Sequence, residues 1–237
     1  DAGWQWRIPL QHRVGNGHVY SSRFIDDDRA EQVLLSNLES DPLAAPRRLR
    51  FVAGRRKLHW SKNCVAIGLA SGFLEPLEST AIHLIQSGIT RFLALFPGSE
   101  PDPVSVAEYN RLTQIEFERV RDFIILHYHA STRDDSELWR YTRAMSIPDG
   151  LAYKLEQFSQ AGNIVSDGLE LFQNPSWLAI FIGQDVIPER YAPLVDLRNT
   201  EEFGAYLASL RRTMSQAASA MPTHQDFIDK NCRAKAI

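Results

Sequence analysis

Pro76 divides the chain into two regimes of apolar periodicity, and nothing else in the 237 residues limits its fold so strongly. Upstream, short apolar runs alternate with polar residues at the two-residue period of half-buried strands. Trp4, Trp6 and Ile8 share one face of a strand that Pro9 limits, and Gly15-Asn16-Gly17 reads as a turn before Val19 to Phe24. Asp26-Asp27-Asp28 opens an amphipathic helix to roughly Leu38, with carboxylates at the positive end of its dipole. Leu49 to Ala53 and Leu58 to Trp60 read as strands around Gly54-Arg55-Arg56, and Val65 to Ile67 as a third.

Downstream of Pro76 the spacing becomes three and four residues. Leu77 to Leu95 reads as a helix stopped by Pro97-Gly98, and Ser105-Val-Ala-Glu108 as a capping box opening a helix to about Ala130. The apolar face of that second helix holds Tyr109, Leu112, Val120, Phe123, Ile124 and Leu126. Further helices are expected at 134–145, 149–160, 174–183 and 200–219. Segregated strands and helices predict an α+β class.

Composition removes several functions. With a net charge of −3, nothing suggests nucleic acid or an anionic membrane as the main partner. No apolar run approaches the roughly 20 residues of a membrane span. Cys64 and Cys232 are too few for a disulfide framework and stand in no metal-ligand spacing, so a reducing, cytoplasmic setting is the simpler reading. The chain begins at Asp1 and enters strand-like sequence at once, which reads as part of a longer protein.

At the junction, residues 62 to 83 run from a short apolar strand through a glycine-bearing loop to Glu75-Pro76 and a helix start rich in carboxylate and hydroxyl groups. The first N–H groups of a helix lack intrahelical partners and carry the dipole's positive end, so this arrangement suits an anion or cofactor.

Three motifs, in order, resemble the flavin-dependent tryptophan halogenase family. They are Trp4-Gln5-Trp6-Arg7-Ile8-Pro9 (W-x-W-x-I-P), the loop Gly68-Leu-Ala-Ser-Gly-Phe-Leu-Glu-Pro-Leu-Glu-Ser-Thr80, and Leu126-His127-Tyr128 followed by Arg133-Asp134-Asp135 and Trp139. The resemblance implies the C-terminal part of a Rossmann-like, aromatic-hydroxylase-like FAD-binding fold over residues 1–100. A mainly helical, substrate-binding region would follow over 101–237. It also implies that the dinucleotide loop and a catalytic lysine lie outside this chain. Gly15-Asn16-Gly17 lacks the third glycine and the following helix of a dinucleotide fingerprint. Lys57, Lys62, Lys154, Lys230 and Lys235 stand in none of the family's catalytic contexts.

In the implied reaction, reduced FAD and oxygen convert chloride or bromide to hypohalous acid, and a lysine presents the electrophilic halogen to an indole. Glu78 matches the catalytic glutamate that stabilises the ring cation and removes its proton, and Ser79 the serine beside it. Thr80 and Ala81 match the pair whose backbone amides hold the halide. Gly68, Leu69, Ala70, Gly72, Phe73 and Ile82 match flavin-facing positions. Trp4, Trp6, Ile8 and Pro9 form the family marker. Phe172 and Trp177 are candidate aromatic walls for the substrate, with ordinary core packing an equal alternative. His127, Tyr128, Arg133, Asp134 and Asp135 read as capping and ion-pairing residues. The family's Tyr-Tyr pair is not visible, which favours indole or a larger indole-bearing molecule as much as tryptophan. Implied partners are a flavin reductase, an aromatic small molecule, the N-terminal half of the same enzyme and a second copy in a homodimer. The rivals are a hydroxylating flavin monooxygenase, against which W-x-W-x-I-P argues, and a non-catalytic flavin-binding or interaction protein.

Overall fold

The computed structural model describes residues 2–166 and 168–234, so Lys235 lies outside the described residues. The chain divides into two compact units. One comprises residues 3–20, 28–43 and the chain from Tyr191, and the other residues 21–27 and 44–190 with Ala2. Each unit combines elements from before and after residue 100.

In the first unit, β1 (Gly3–Pro9) and β2 (Val14–Tyr20) pair antiparallel, from Gly3 opposite Tyr20 to Pro9 opposite Val14. The turn is at residues 10–13, where Leu10 N–H donates to the Arg13 carbonyl at 2.8 Å. Gly15-Asn16-Gly17, expected as the turn, lies inside β2. The reason is steric: a Cβ on Gly17 would stand 2.2 Å from the Trp6 indole carbons, and one on Gly15 3.3 Å from the same ring. These glycines make a bed for Trp6, which sits opposite Gly17. Helix α1 (Asp27–Ser36) docks on the ladder through His18 Nδ1 and the Ala30 carbonyl at 3.0 Å. Asn37 donates to Gln5 at 3.0 Å.

Helix α7 (Thr200–Ala220) begins where Asn199 Oδ1 accepts the Glu201 and Glu202 N–H groups. A further helix, α8 (His224–Asn231), has no counterpart in the sequence reading. Its signal is a short capping box: Asp226 N–H donates to Thr223 Oγ1 at 3.1 Å, and the Thr223 hydroxyl donates to Asp226 Oδ2 at 2.6 Å.

The second unit holds two short antiparallel ladders, β3 (Gly54–Arg55) with β6 (Gly72–Phe73) and β4 (Trp60–Ser61) with β5 (Cys64–Val65). Leu49 to Ala53 forms no strand. Leu49 is 73% exposed and Val52 93%, so this apolar run has no sheet partner among the described residues. Strand propensity is expressed only where a neighbour completes the ladder.

Helix α2 (Ala81–Ala94) and the long α3 (Pro103–His129) carry these ladders. The N-cap of α3 is Asp102, whose carboxylate accepts the Ser105 N–H at 2.8 Å with Pro103 in the first turn. Ser105 is thus inside the helix rather than capping it, since proline at the first position suits a helix start. From α3, Asn110 Oδ1 accepts the N–H groups of His59 and Trp60 at 2.7 and 2.9 Å, and its amide donates to the Trp60 carbonyl at 2.8 Å. One side chain thereby serves as the missing neighbour strand for β4. Trp60, Phe92 and Tyr109 close edge-to-face above it.

The helical core lies further along α3. It joins Phe123 and Leu126 to Leu151 and Phe158 of α5 (Asp149–Ala161) and to Trp177 and Phe181 of α6 (Asn174–Gly183). Each such large apolar side chain stabilises the fold by about 1.5–3 kcal/mol on burial. Helix α4 (Glu137–Ala144) packs on α3 through Trp139, stacked on Tyr128. Within this core Lys154 pairs with Glu170 at 2.7 Å and also reaches the Val165 carbonyl. Glu170 accepts the Trp177 indole N–H at 2.9 Å.

Candidate active site

The junction loop is held from beneath. The chain enters the 3-10 turn at Gly68–Ala70 through a left-handed residue, Gly68 at φ +65°, a conformation glycine adopts freely. Gly72 meets a packing demand within the fold. A Cβ there would meet the Gly54 carbonyl at 2.6 Å and Phe117 at 2.9 Å, so its missing side chain is used by β3 and α3. Arg56 N–H donates to the Ser71 carbonyl at 2.8 Å and the Arg56 guanidinium to the Ala70 carbonyl at 3.1 Å.

Beneath the loop His59 is 1% exposed, stacked on Phe117, with Nδ1 2.6 Å from the Ser71 hydroxyl. Its Nε2 is buried with no hydrogen-bond partner among the described residues. Burial first, then the positive charges of Arg55 and Arg91, lowers its pKa to about 4. The folded protein holds this ring neutral, whereas the unfolded chain takes up a proton near pH 6.5. Stability from His59 is therefore full above pH 6.5 and is lost as pH falls toward 4. The expected loss in unfolding free energy across that window is about 3 kcal/mol. Chemical denaturation of the wild type and His59→Gln at several pH values checks this, since the variant should lack most of the slope.

After the loop, Glu75 accepts the Leu77 N–H at 3.2 Å and a 3-10 turn runs over Pro76–Glu78. Ser79 then adopts φ 53°, ψ 36°, a left-handed conformation that costs a non-glycine residue about 1 kcal/mol or more. Helix α2 starts only after this kink, so Leu77 to Thr80 are not its first turn as expected. Thr80 is its N-cap and is buried, yet no side chain caps the helix. Ala81 is exposed at its first position. The surface above is apolar: Leu69 is 80% exposed and Ile82 78%. Phe73 is half-buried and meets Phe51 edge-on.

Glu78 is half-buried and faces α3. Its Oε1 lies 2.7 Å from His127 Nε2, while His127 Nδ1 lies 2.8 Å from the Phe123 carbonyl. His127 thus occupies the last turn of α3. It packs edge-on against Phe123, and Phe123 stacks on Phe172 with ring centroids 3.9 Å apart. Sequence reasoning missed this link, because Glu78 in the turn before α2 and His127 at the end of α3 are brought together only by the fold. Of the two aromatic candidates, Phe172 is half-buried. Trp177 is 1% exposed with its N–H taken by Glu170 and the Phe172 carbonyl, which is the core-packing reading. Arg133 and Asp135 form the expected ion pair at 2.7 Å, and Arg133 lies over the Trp139 ring.

The residues fit the groups that the resemblance implies. A flavin ring needs exposed apolar surface on a rigid loop, which Leu69, Ala70 and Ile82 provide. A halide needs uncapped N–H groups, which the start of α2 provides. No helix among the described residues is long and apolar enough to cross a membrane. No cluster of metal-ligating side chains occurs among them.

Residues 1–200 match a family model described as tryptophan halogenase. Tryptophan 7-halogenase KtzQ of Kutzneria sp. (strain 744) is 31% identical, over 96% of this chain and 46% of its own. Among solved structures, Xcc4156, a flavin-dependent halogenase from Xanthomonas campestris, matches with TM-score 0.96 and 49% identity over 100% of this chain and 48% of that one. BrvH, a flavin-dependent halogenase from Brevundimonas sp. BAL3, matches with TM-score 0.91 and 45% identity over 96% of this chain and 46% of that one. The chain spans about half the length of the relatives it matches.

Proposed function

We propose, from the premise that this chain belongs to the tryptophan halogenase family, that it supplies half of the active site of an FADH2-dependent halogenase acting on an indole-bearing aromatic. When bound, the reduced flavin supplies, with oxygen, the oxidising power that turns chloride or bromide into hypohalous acid. This chain's residues bind and orient. Leu69, Ala70 and Ile82 offer the exposed apolar face for the flavin, on a loop that Gly68 shapes and Ser71 and Arg56 fix. The backbone N–H groups of Thr80 and Ala81 hold the halide, with Ser79 setting the kink that frees them.

Glu78 is the acid–base group. A carboxylate beside a ring that gains positive charge stabilises the cation and then accepts its proton. Phe172, reached from Glu78 through His127 and Phe123, is the candidate wall for the aromatic substrate. The lysine that presents the halogen and the dinucleotide loop lie in the remaining part of the protein, and a flavin reductase supplies FADH2. The observation carrying this reading is the junction itself: an exposed apolar loop, an uncapped helix start and a half-buried glutamate within fifteen residues, 68 to 82.

Turnover of an indole by the intact protein, with reductase and oxygen, is the test. It should require bromide or chloride and give a halogenated product by mass spectrometry. Turnover indifferent to halide, with a hydroxylated product, would replace this reading by the monooxygenase one.

A further inference from the structure

We propose that His127 is a positioning residue for Glu78, acting as an imidazolium that fixes Oε1 and leaves Oε2 to take the proton from the substrate ring. The inference rests on the reading of Glu78 as the acid–base group and deepens it.

His127 Nδ1 lies 2.8 Å from the Phe123 carbonyl, an oxygen that only accepts, so Nδ1 carries hydrogen. In a neutral ring Nε2 would then present a lone pair. That lone pair would face Glu78 Oε1 at 2.7 Å, an arrangement of two acceptors that repel. The contact becomes attractive when Nε2 is protonated as well. The carbonyl of Phe123 thus sets the tautomer, and the tautomer makes a second proton the condition for holding Glu78. Packing reinforces the choice, because the ring is fixed edge-on against Phe123 and its side chain is only 13% exposed.

Glu78 has no other hydrogen-bond or ion-pair partner among the described residues, so Oε2 is its unclaimed oxygen. In the reaction, the C–H bond of the ring cation breaks, its electron pair restores aromaticity, and the proton ends on Oε2. His127 keeps both of its protons throughout. Its work is to stop the carboxylate rotating on a backbone already kinked at Ser79.

The test uses the intact protein and three variants. His127→Phe keeps a ring but no donor, and kcat should fall about 10²-fold with little change in KM, the scale of a misplaced catalytic group. His127→Gln restores one N–H and should recover kcat to within about tenfold of wild type by the same scale. A two-bond proton–nitrogen correlation spectrum of histidine-labelled protein should find both His127 nitrogens protonated in the wild type. In Glu78→Gln only Nδ1 should remain so. Wild-type kcat in His127→Phe, or equal loss in His127→Gln and His127→Phe, overturns the proposal. Should His127→Phe fail to fold, the spectrum decides, because an unprotonated Nε2 in the wild type is equally fatal. Glu78→Gln with normal turnover instead defeats the underlying reading of Glu78, which separates the two failures.

Discussion

Replacing Glu78 by glutamine in the intact protein is expected to cut halogenation by about 10²-fold or more while leaving flavin bound. The substitution keeps shape and volume and removes only charge and basicity. The apolar loop that would meet the flavin, at Leu69 and Ile82, does not depend on Glu78. The contact to His127 also survives, because the new amide donates to a neutral Nε2. On the proposed role of Glu78, the loss is of a negative charge beside the ring cation and of a group able to take its proton, and it should fall on kcat. Single-turnover halogenation and flavin fluorescence titration measure the two halves separately. Near-normal halogenation would remove Glu78 from the chemistry and leave it a residue of the 3-10 turn.

The second large effect concerns stability. Lys154→Met should destabilise the protein by about 3–5 kcal/mol, because it leaves Glu170 as an uncompensated charge in the helical core. The side chains of Lys154 and Glu170 are 9% and 2% exposed, so solvent does little to relieve that charge. The melting temperature should drop by roughly 10 °C. The double variant Lys154→Met, Glu170→Leu removes both charges and should recover most of the loss, since Trp177 keeps the Phe172 carbonyl as acceptor. A single variant as stable as wild type would mean that water reaches this pair.

The helices were the most legible part of the sequence, because periodicity and caps are local. The expected spans 149–160, 174–183 and 200–219 agree with α5, α6 and α7 to within one residue. Strands were less legible, since pairing is decided by a distant partner. Leu49 to Ala53 looked like a strand and found none, while Gly54-Arg55, a weak strand by composition, pairs with Gly72-Phe73. The site divides in the same way. The loop and the α2 start were readable as a contiguous stretch. The contact of Glu78 with His127 spans 49 positions and needed the turn before α2 to be brought against α3. The left-handed Ser79 was hidden for another reason, because a serine at that conformation carries no signal that glycine or asparagine would.

The bed of glycines under Trp6 gives the marker motif a second half on the facing strand. A tryptophan at position 6 and the absence of a side chain at position 17 are one steric unit, so neither can change alone without cost. A large residue in place of Gly17 would push the indole out, and a small one in place of Trp6 would leave a trough along two bare glycines. For recognising this hairpin in other chains, W-x-W-x-I-P joined to G-x-G six residues after its proline is a more demanding query than the tryptophans alone. It asks for two strands in register rather than for a run of letters.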